Sequence, residues 1–464
     1  MKYELEPYQL RGYRRAVKYP GYALYMVQGT GKTPTSIKVI SHRFYHNEVR
    51  KVLIIGPLSA IDVWEKDLSR FADFPYQLTP LESKYGKDKT LNPLTDKNIV
   101  HIVTINYQSL KKRLGLLLAW KPDFVIADEC HAIKDRQAVQ TKATWKIGDI
   151  AKYKLGLSGT PQDQSPIDLW AQFRFFAPEV FGRAWRDFAD VYTRTTGYGY
   201  KKIVLRKRKL PRLLKIIQSR MYRVEKKVLG LPPITQRIKY VTLSSKAQEI
   251  YDELEAESVV DISTANALTP IILTKYLRLQ QITGGFLPTE DGDIVQIDKA
   301  KLKRLMRLLK LSKPEQKFVI FARFISEINA ISYICQKLEL KSAVLHGKIS
   351  ITERRKTRQL FLSDPLLKIL VCQIRTGGVG INELVAASTA VFYSTTYSWI
   401  DFDQAISRLH RKGQYKAVKI IHLLAKNTID EDIFKVLKNK GSLADLVLNT
   451  KKRRRMGWQD SLNV

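Results

Sequence analysis

At 464 residues the chain exceeds what one hydrophobic core usually supports, so two or more domains are expected. Its 44% hydrophobic and 27% charged content suits a soluble globular fold, no run reaches the ~18–20 apolar residues of a membrane helix, and MKYELEPYQL lacks a secretion signal's layout. Lys and Arg number 79 against 44 Asp and Glu, a net +35 that draws polyanions, a phosphate backbone ahead of an acidic membrane.

The protein is accordingly expected to remain where it is made, in the cytoplasm. Cys130, Cys335 and Cys372 are far apart and form no CxxC pair, which argues against a disulfide framework or a structural zinc.

In chain order, the first signal is Met26–Thr33, MVQGTGKT, after the apolar Tyr22–Tyr25 and before a helical run, Pro34–Phe44. A glycine-rich turn between strand and helix turns backbone N–H groups toward an anion at a helix N-terminus, so Gly29, Thr30 and Gly31 are candidates to wrap phosphates. Lys32 would pair with the β and γ phosphates and the Thr33 hydroxyl would ligate Mg²⁺. Strict P-loop spacing asks for glycine where Met26 stands.

Short apolar runs follow at Lys51–Gly56, Ile99–Ile105, Phe124–Ala127 and Lys154–Leu157, read as buried parallel strands. The third ends in DECH: Asp128 can hold the Mg²⁺ shell and Glu129 can orient or deprotonate the attacking water. The fourth leads into LSGTP, a generic turn by itself. Placed after DECH, its Ser158 and Thr160, with His131, are candidates to sense a γ-phosphate and pass the change on.

Residues 165–299 read as mostly helical and rich in Lys, Arg and aromatics. Within them Arg206, Lys207, Arg208 and Lys209 form a basic tract, either a solvated face or a nucleic-acid contact, and Tyr198–Lys215 is either a branch-engaging wedge or a solvated hairpin. A second series of strands is expected at Lys317–Phe321, Ser342–Leu345, Lys368–Cys372, Thr389–Tyr393 and Val418–Leu424. Near the end, QAISRLHRKGQ placed on a helix would put Gln404, Arg408 and Arg411 on one face, as arginine-finger candidates or as a basic amphipathic helix. Lys451–Arg455 is a basic tail.

These blocks, in this order over nearly the whole chain, resemble superfamily-two helicase-type ATPases of the Swi/Snf branch. PYQLR is similar to that branch's glutamine motif, GTGKT to motif I, IGPLSAIDVWEKDL to Ia, TINYQSL to Ib, DECH to II and LSGTP to III. KFVIFARFIS stands at motif IV, VCQIRTGGVGIN at V and QAISRLHRKGQ at VI.

The resemblance implies an α/β fold of two tandem RecA-like domains with helical protrusions between them. The expected boundaries are 1–163 for the first domain, 164–299 for the protrusion region, 300–440 for the second domain with its closing helix, and 441–464 for the tail. It implies ATP and Mg²⁺ as cofactors, with Gln9 on the adenine and Gly380 and Gln404 also at the nucleotide. Along the DNA it implies Pro57, Tyr107, Arg323, Arg375 and Gly377.

The expected activity is an ATP-dependent DNA helicase or translocase on double-stranded, forked or branched DNA, in replication, recombination or repair. Alternatives are a duplex translocase that displaces proteins without unwinding, and an ATP-gated DNA-binding module of a defence complex. So little chain beyond the motor motifs points away from nucleosome remodelling and toward a bacterial or phage-encoded monomer working with replication or recombination proteins. Motif V departs from the branch at Gln373–Thr376, which bears on coupling to the strand.

Overall fold

The computed structural model describes residues 4–81, 91, 96, 98–159, 166–196, 202–264, 270–289, 292–374 and 383–448. The described residues divide into two compact units, the first with 4–196, 202–229 and 442–448, the second with Gly230–Gly441.

The first unit is built on seven parallel strands: β1 (Gly21–Met26), β2 (Lys51–Gly56), β3 (Tyr76–Pro80), β4 (Val100–Asn106), β5 (Phe124–Asp128), β6 (Tyr153–Ser158) and, after a short hairpin of β7 (Thr193–Thr196) and β8 (Lys202–Leu205), β9 (Met221–Val224). Their order across the sheet is β3-β4-β2-β5-β6-β1-β9. Along β1, β2 and β5 alternate residues enter two different cores: Ala23, Leu53 and Val125 one face, Leu24, Ile54 and Ile126 the other. Both faces are covered, which is why these strands read as unbroken apolar runs.

The second unit carries β10 (Ile234–Val241), a small hairpin of β11 (Phe286–Pro288) and β12 (Ile294–Gln296), then β13 (Phe318–Ala322), β14 (Ser342–Leu345), β15 (Ile369–Gln373), β16 (Thr389–Phe392) and β17 (Val418–Ala425). Its six-stranded parallel sheet runs β10-β17-β16-β13-β15-β14. It too is clad on both faces, Val319 and Phe321 facing one core and Phe318 and Ile320 the other. The chain is therefore α/β with two tandem RecA-like sheets.

Residues 164–299 do not stand as a region of their own. β9 pairs in parallel with β1, and β10 lies along all of β17, so the break falls at Leu229–Gly230 and each part joins its neighbouring sheet. Backbone pairing at a sheet edge outweighs the helical composition between. The tail 451–455 lies outside the described residues.

Candidate active site

Strand order decides which carboxyl ends meet. In β2-β5-β6-β1 the neighbours end in Gly56–Pro57, Asp128–Glu129, Ser158–Gly159 and the Met26–Lys32 turn. Crevices at the carboxyl ends of parallel strands are where α/β sheets bind ligands.

The turn after β1 is held by its own hydroxyl and by a distant glutamine. Thr30 Oγ1 donates to the Val27 carbonyl at 2.6 Å, and Gln9 Nε2 donates to the Thr30 carbonyl at 3.0 Å. Glu6 N in turn donates to Gln9 Oε1 at 2.9 Å, which fixes the amide's orientation. Gly29 and Gly31 have φ of 84° and 82°, and a Cβ on Gly31 would lie 2.1 Å from Gln9 Nε2. Glycine is required there both by backbone conformation and by space. The helix Lys32–Tyr45 starts immediately after, so its unpaired N–H groups point out of the turn. Met26, the departure from the strict pattern, is the last residue of β1 and fully buried in the core, where its side chain packs.

Lys32 Nζ donates to the Met26 carbonyl at 3.2 Å and lies 3.9 Å from Glu129 Oε1. Asp128 is buried: Trp64 Nε1 donates to its Oδ2 at 2.9 Å, and Glu129 N to its Oδ1 at 2.9 Å. Burial, and then the neighbouring Glu129, push the Asp128 carboxyl up to about 6, with Lys32 opposing. Two adjoining carboxylates thus face one ammonium, an arrangement short of positive charge.

A divalent cation fits that deficit, and the donor set of hydroxyl and carboxylate oxygens is the one Mg²⁺ prefers. Burial raises the Asp67 carboxyl, and the neighbouring Thr33 hydroxyl opposes this. The Thr33 hydroxyl oxygen has lone pairs that a cation can take. The residues present therefore suit Mg²⁺, held by Thr33 and Asp128.

Glu129 takes a left-handed backbone, φ 51°, at the strand-to-turn transition. A non-glycine residue held there is strained, and such strain clusters at functional sites. Its Oε2 lies 3.3 Å from His131 Nδ1 and 3.5 Å from Ser158 Oγ, while His131 Nδ1 and Ser158 Oγ are 3.2 Å apart. Three expected site residues from two strand ends thus form one hydrogen-bonded cluster. Thr160 lies outside the described residues.

Three residues not singled out in the sequence prove to hold this site: Trp64, Asp67 and Gln172. Gln172 Oε1 accepts from the Tyr25 hydroxyl at 3.1 Å and from Cys130 Sγ at 3.2 Å, tying β1 to the turn after β5. Trp64 and Asp67 stand three residues apart on the helix Leu58–Phe71, about one turn, which places them on one face; Gln172 left no such signal.

Tyr107 is a correction. Expected along DNA, it is 3% exposed, and its hydroxyl donates to the Asp128 carbonyl at 2.9 Å. Its side chain is committed to the acidic turn by the short 3₁₀ turn Tyr107–Ser109 that points it inward. Pro57 caps the helix Leu58–Phe71 at the carboxyl end of β2. Arg206 Nε donates to the Thr193 carbonyl at 2.6 Å, bracing the β7–β8 hairpin, and Arg208 is exposed; the Lys207 side chain lies outside the described residues.

In the second unit Gln404 and Arg408 sit on the helix Trp399–Leu409, Gln404 buried. Arg411 does not share that helix. The helix stops at Leu409, where His410 leaves the helical region and its Nε2 meets the Pro232 carbonyl at 2.7 Å, and Gly413 turns the chain with φ 99°. Burial lowers the Arg411 pKa and Glu383 opposes this. Arg323, at the end of β13, gives its guanidinium to Gln280 Oε1 and lies 5.5 Å over Phe324. Arg375, Gly377 and Gly380 lie outside the described residues.

Two family models cover the chain: an SNF2-related domain over residues 26–285, more than half of it, and a helicase conserved C-terminal domain over 300–413. An uncharacterized ATP-dependent helicase of Mycoplasma genitalium is 26% identical over 90% of this chain and 39% of its own length. A human DNA annealing helicase and endonuclease is 25% identical over 98% of this chain and 41% of its own. The chain thus spans about two fifths of these curated relatives. The double-stranded-DNA-bound SWI2/SNF2 ATPase core of Sulfolobus solfataricus is 24% identical, covers 99% of this chain and 97% of its own, and superposes with a TM-score of 0.45.

Proposed function

The chain belongs to the SNF2-related family, and on that premise we propose that it is an ATP-driven motor on DNA, working on forked or branched duplexes. One observation carries the reading. Lys32, Asp128, Glu129, His131 and Ser158 converge at the carboxyl ends of β1, β5 and β6, on a turn whose glycines leave backbone donors for phosphate.

In this reading Lys32 leaves the Met26 carbonyl for the β and γ phosphates, and Gln9 reads the adenine while bracing the loop. Thr33 and Asp128 would hold Mg²⁺, which would supply positive charge against the phosphates. Glu129 orients the attacking water and accepts its proton. Its partners His131 and Ser158 register whether the terminal phosphate is present, since either hydroxyl or imidazole can exchange Glu129 for a phosphate oxygen. Arg408 and Arg411 remain the arginine-finger candidates of this reading, because the transition state needs added positive charge.

The net charge of +35 supports a phosphodiester track. The name of the human relative, a DNA annealing helicase, supports work on DNA strands over protein stripping. The deciding experiment compares ATPase stimulation by single-stranded, duplex, forked and four-way DNA, with strand displacement read in parallel. Forked or four-way DNA stimulating most, with strand displacement, supports the reading. Equal stimulation by plain duplex without displacement assigns the duplex-translocase alternative, and turnover indifferent to DNA removes the motor.

A further inference from the structure

The second unit has a cavity of about 450 Å³ unrelated to the nucleotide residues. It lies between the end of β10 (Val241–Ser244) and the start of the helix Ala300–Lys310. β10 runs parallel to β17, so its last residue lies at the sheet's carboxyl edge, the edge on which β13 ends in Arg323.

The wall is cationic. Lys299, Lys303, Arg304 and Arg307 line the cavity with a single carboxylate, Asp298. That carboxylate is spent: its Oδ2 accepts from Ser244 N at 2.6 Å and its Oδ1 from Ala300 N. Among the described residues none of the four cations has an ion-pair partner, and Arg304 Nε is a buried donor with no acceptor. A buried donor left unpaired carries a desolvation penalty, which an arriving acceptor would relieve.

The site is also rigid. The helix's other face carries Leu302, Leu305 and Leu309 into the core, and Lys301 Nζ is locked to Asp430 Oδ2 at 2.6 Å. The loop bearing Asp298 folds back on Gly285, whose φ is 92° and where a Cβ would lie 2.5 Å from the Asp298 carbonyl. An ammonium and guanidinium wall carried by an anchored helix, without a carboxylate partner among the described residues, suits a phosphate-bearing ligand.

We propose that this cavity is a phosphodiester-binding site that extends the DNA track along the second unit. The inference rests on the DNA-motor reading. Sheet order puts three strand intervals of ~4.8 Å, roughly 14 Å, between β10 and β13. At ~3.4 Å rise per nucleotide that is about four nucleotides of one strand, so one backbone can pass both places. The anchor holds sugar-phosphate and reads no base.

The test compares wild type with two triple variants. One carries Lys303→Ala, Arg304→Ala and Arg307→Ala; the other carries Lys310→Ala, Lys313→Ala and Lys337→Ala, which removes equal charge from the opposite edge of the sheet. Duplex affinity is measured against salt by fluorescence anisotropy, with thermal melts to verify folding. The first triple is expected to weaken binding about tenfold or more and to make the log–log salt slope shallower by about 2–3. The second should change the slope by less than about one, and turnover at saturating DNA should persist in both.

Equal slopes in the two triples would show that only bulk charge matters and overturn the site. Saturable calorimetric binding of inorganic pyrophosphate, lost in the first triple while its DNA slope stays unchanged, would reassign the cavity to a free anion and overturn the DNA assignment. If the first triple fails to fold, Arg307→Glu alone replaces it, with the same slope as readout. A wild type that shows no steep salt dependence would instead remove the motor reading, an outcome distinct from failure of the cavity.

Discussion

Lys32 has two partners in the fold, the Met26 carbonyl and the Glu129 carboxylate, and neither is a strong one at 3.2 and 3.9 Å. An ammonium so loosely held exchanges readily for phosphate oxygens, and it also offsets part of the charge of the acidic pair. Lys32→Ala is expected to lower DNA-stimulated ATPase by about 10²–10³ while DNA affinity is nearly unchanged, read by a coupled assay and by anisotropy. Retained turnover in a clean preparation would refute the assignment. Trp64 tests the other end of the site. Its indole donates to a buried carboxylate, and such charge-assisted bonds are worth about 1.5–3 kcal/mol. Trp64→Phe keeps an aromatic ring and loses the donor, so the Mg²⁺ concentration for half-maximal turnover should rise about tenfold. An unchanged Mg²⁺ requirement would mean that Asp128 is held by the backbone alone.

At the scale of elements, the nine strands read from apolar runs all exist, within a residue or two, because strands buried on both faces carry no polar interruption. β10 left no such trace. It is an edge strand reading ITQRIKYV, exposed over most of its length, so its composition is that of a surface and only its partner β17 makes it a strand. That omission displaced the expected boundary between the two halves. The site was legible for the same kind of reason: glycines, Lys32 and the acids are dictated by phosphate chemistry and sit at fixed spacing. Trp64 and Gln172 act across the fold, through contacts that no local spacing encodes.

The β10–β17 pair has a measurable consequence. His422 on β17 is 1% exposed among Phe392, Phe402 and Phe434, and its Nε2 meets Gln236 Oε1 on β10 at 3.1 Å. Burial pushes its pKa down from 6.5 to about 4. A histidine depressed in the folded state binds its proton first in the unfolded chain, so stability is full above about pH 6.5 and is lost as pH falls toward 4. The shift corresponds to about 3 kcal/mol at the acid end. His422→Phe should flatten that part of the stability–pH curve, since Gln236 is exposed and can turn to water. An unflattened curve from denaturant melts between those pH values would show that other groups cause the acid loss.

At the scale of the whole molecule, the charge distribution and the division into two units set what a motor requires. Among the described residues, the proposed phosphate loop, Lys32 and the acidic pair all lie in the first unit, so on this reading nucleotide binding should survive damage to the second. The two arginine-finger candidates of the second unit differ in setting, Arg408 on a helix and Arg411 past its end. Arg408 is anchored by a helix whose Gln404 and Ile406 are buried, whereas Arg411 stands in a turn closed by Gly413, beside Glu383. Glu383 is itself engaged by Arg358, at 3.1 and 3.0 Å. Arg411, in a turn and not on the helix, is the candidate to test first for a side chain that engages a terminal phosphate. Arg411→Ala should leave ATP affinity within a few-fold of wild type, as read with a fluorescent nucleotide, and lower the hydrolysis rate by about 10³–10⁵. Arg408→Ala in the same assays should cost less if it serves mainly to position. Normal turnover in Arg411→Ala with a collapse in Arg408→Ala would transfer the role to the helix, and normal turnover in both would remove both arginines from the hydrolysis step.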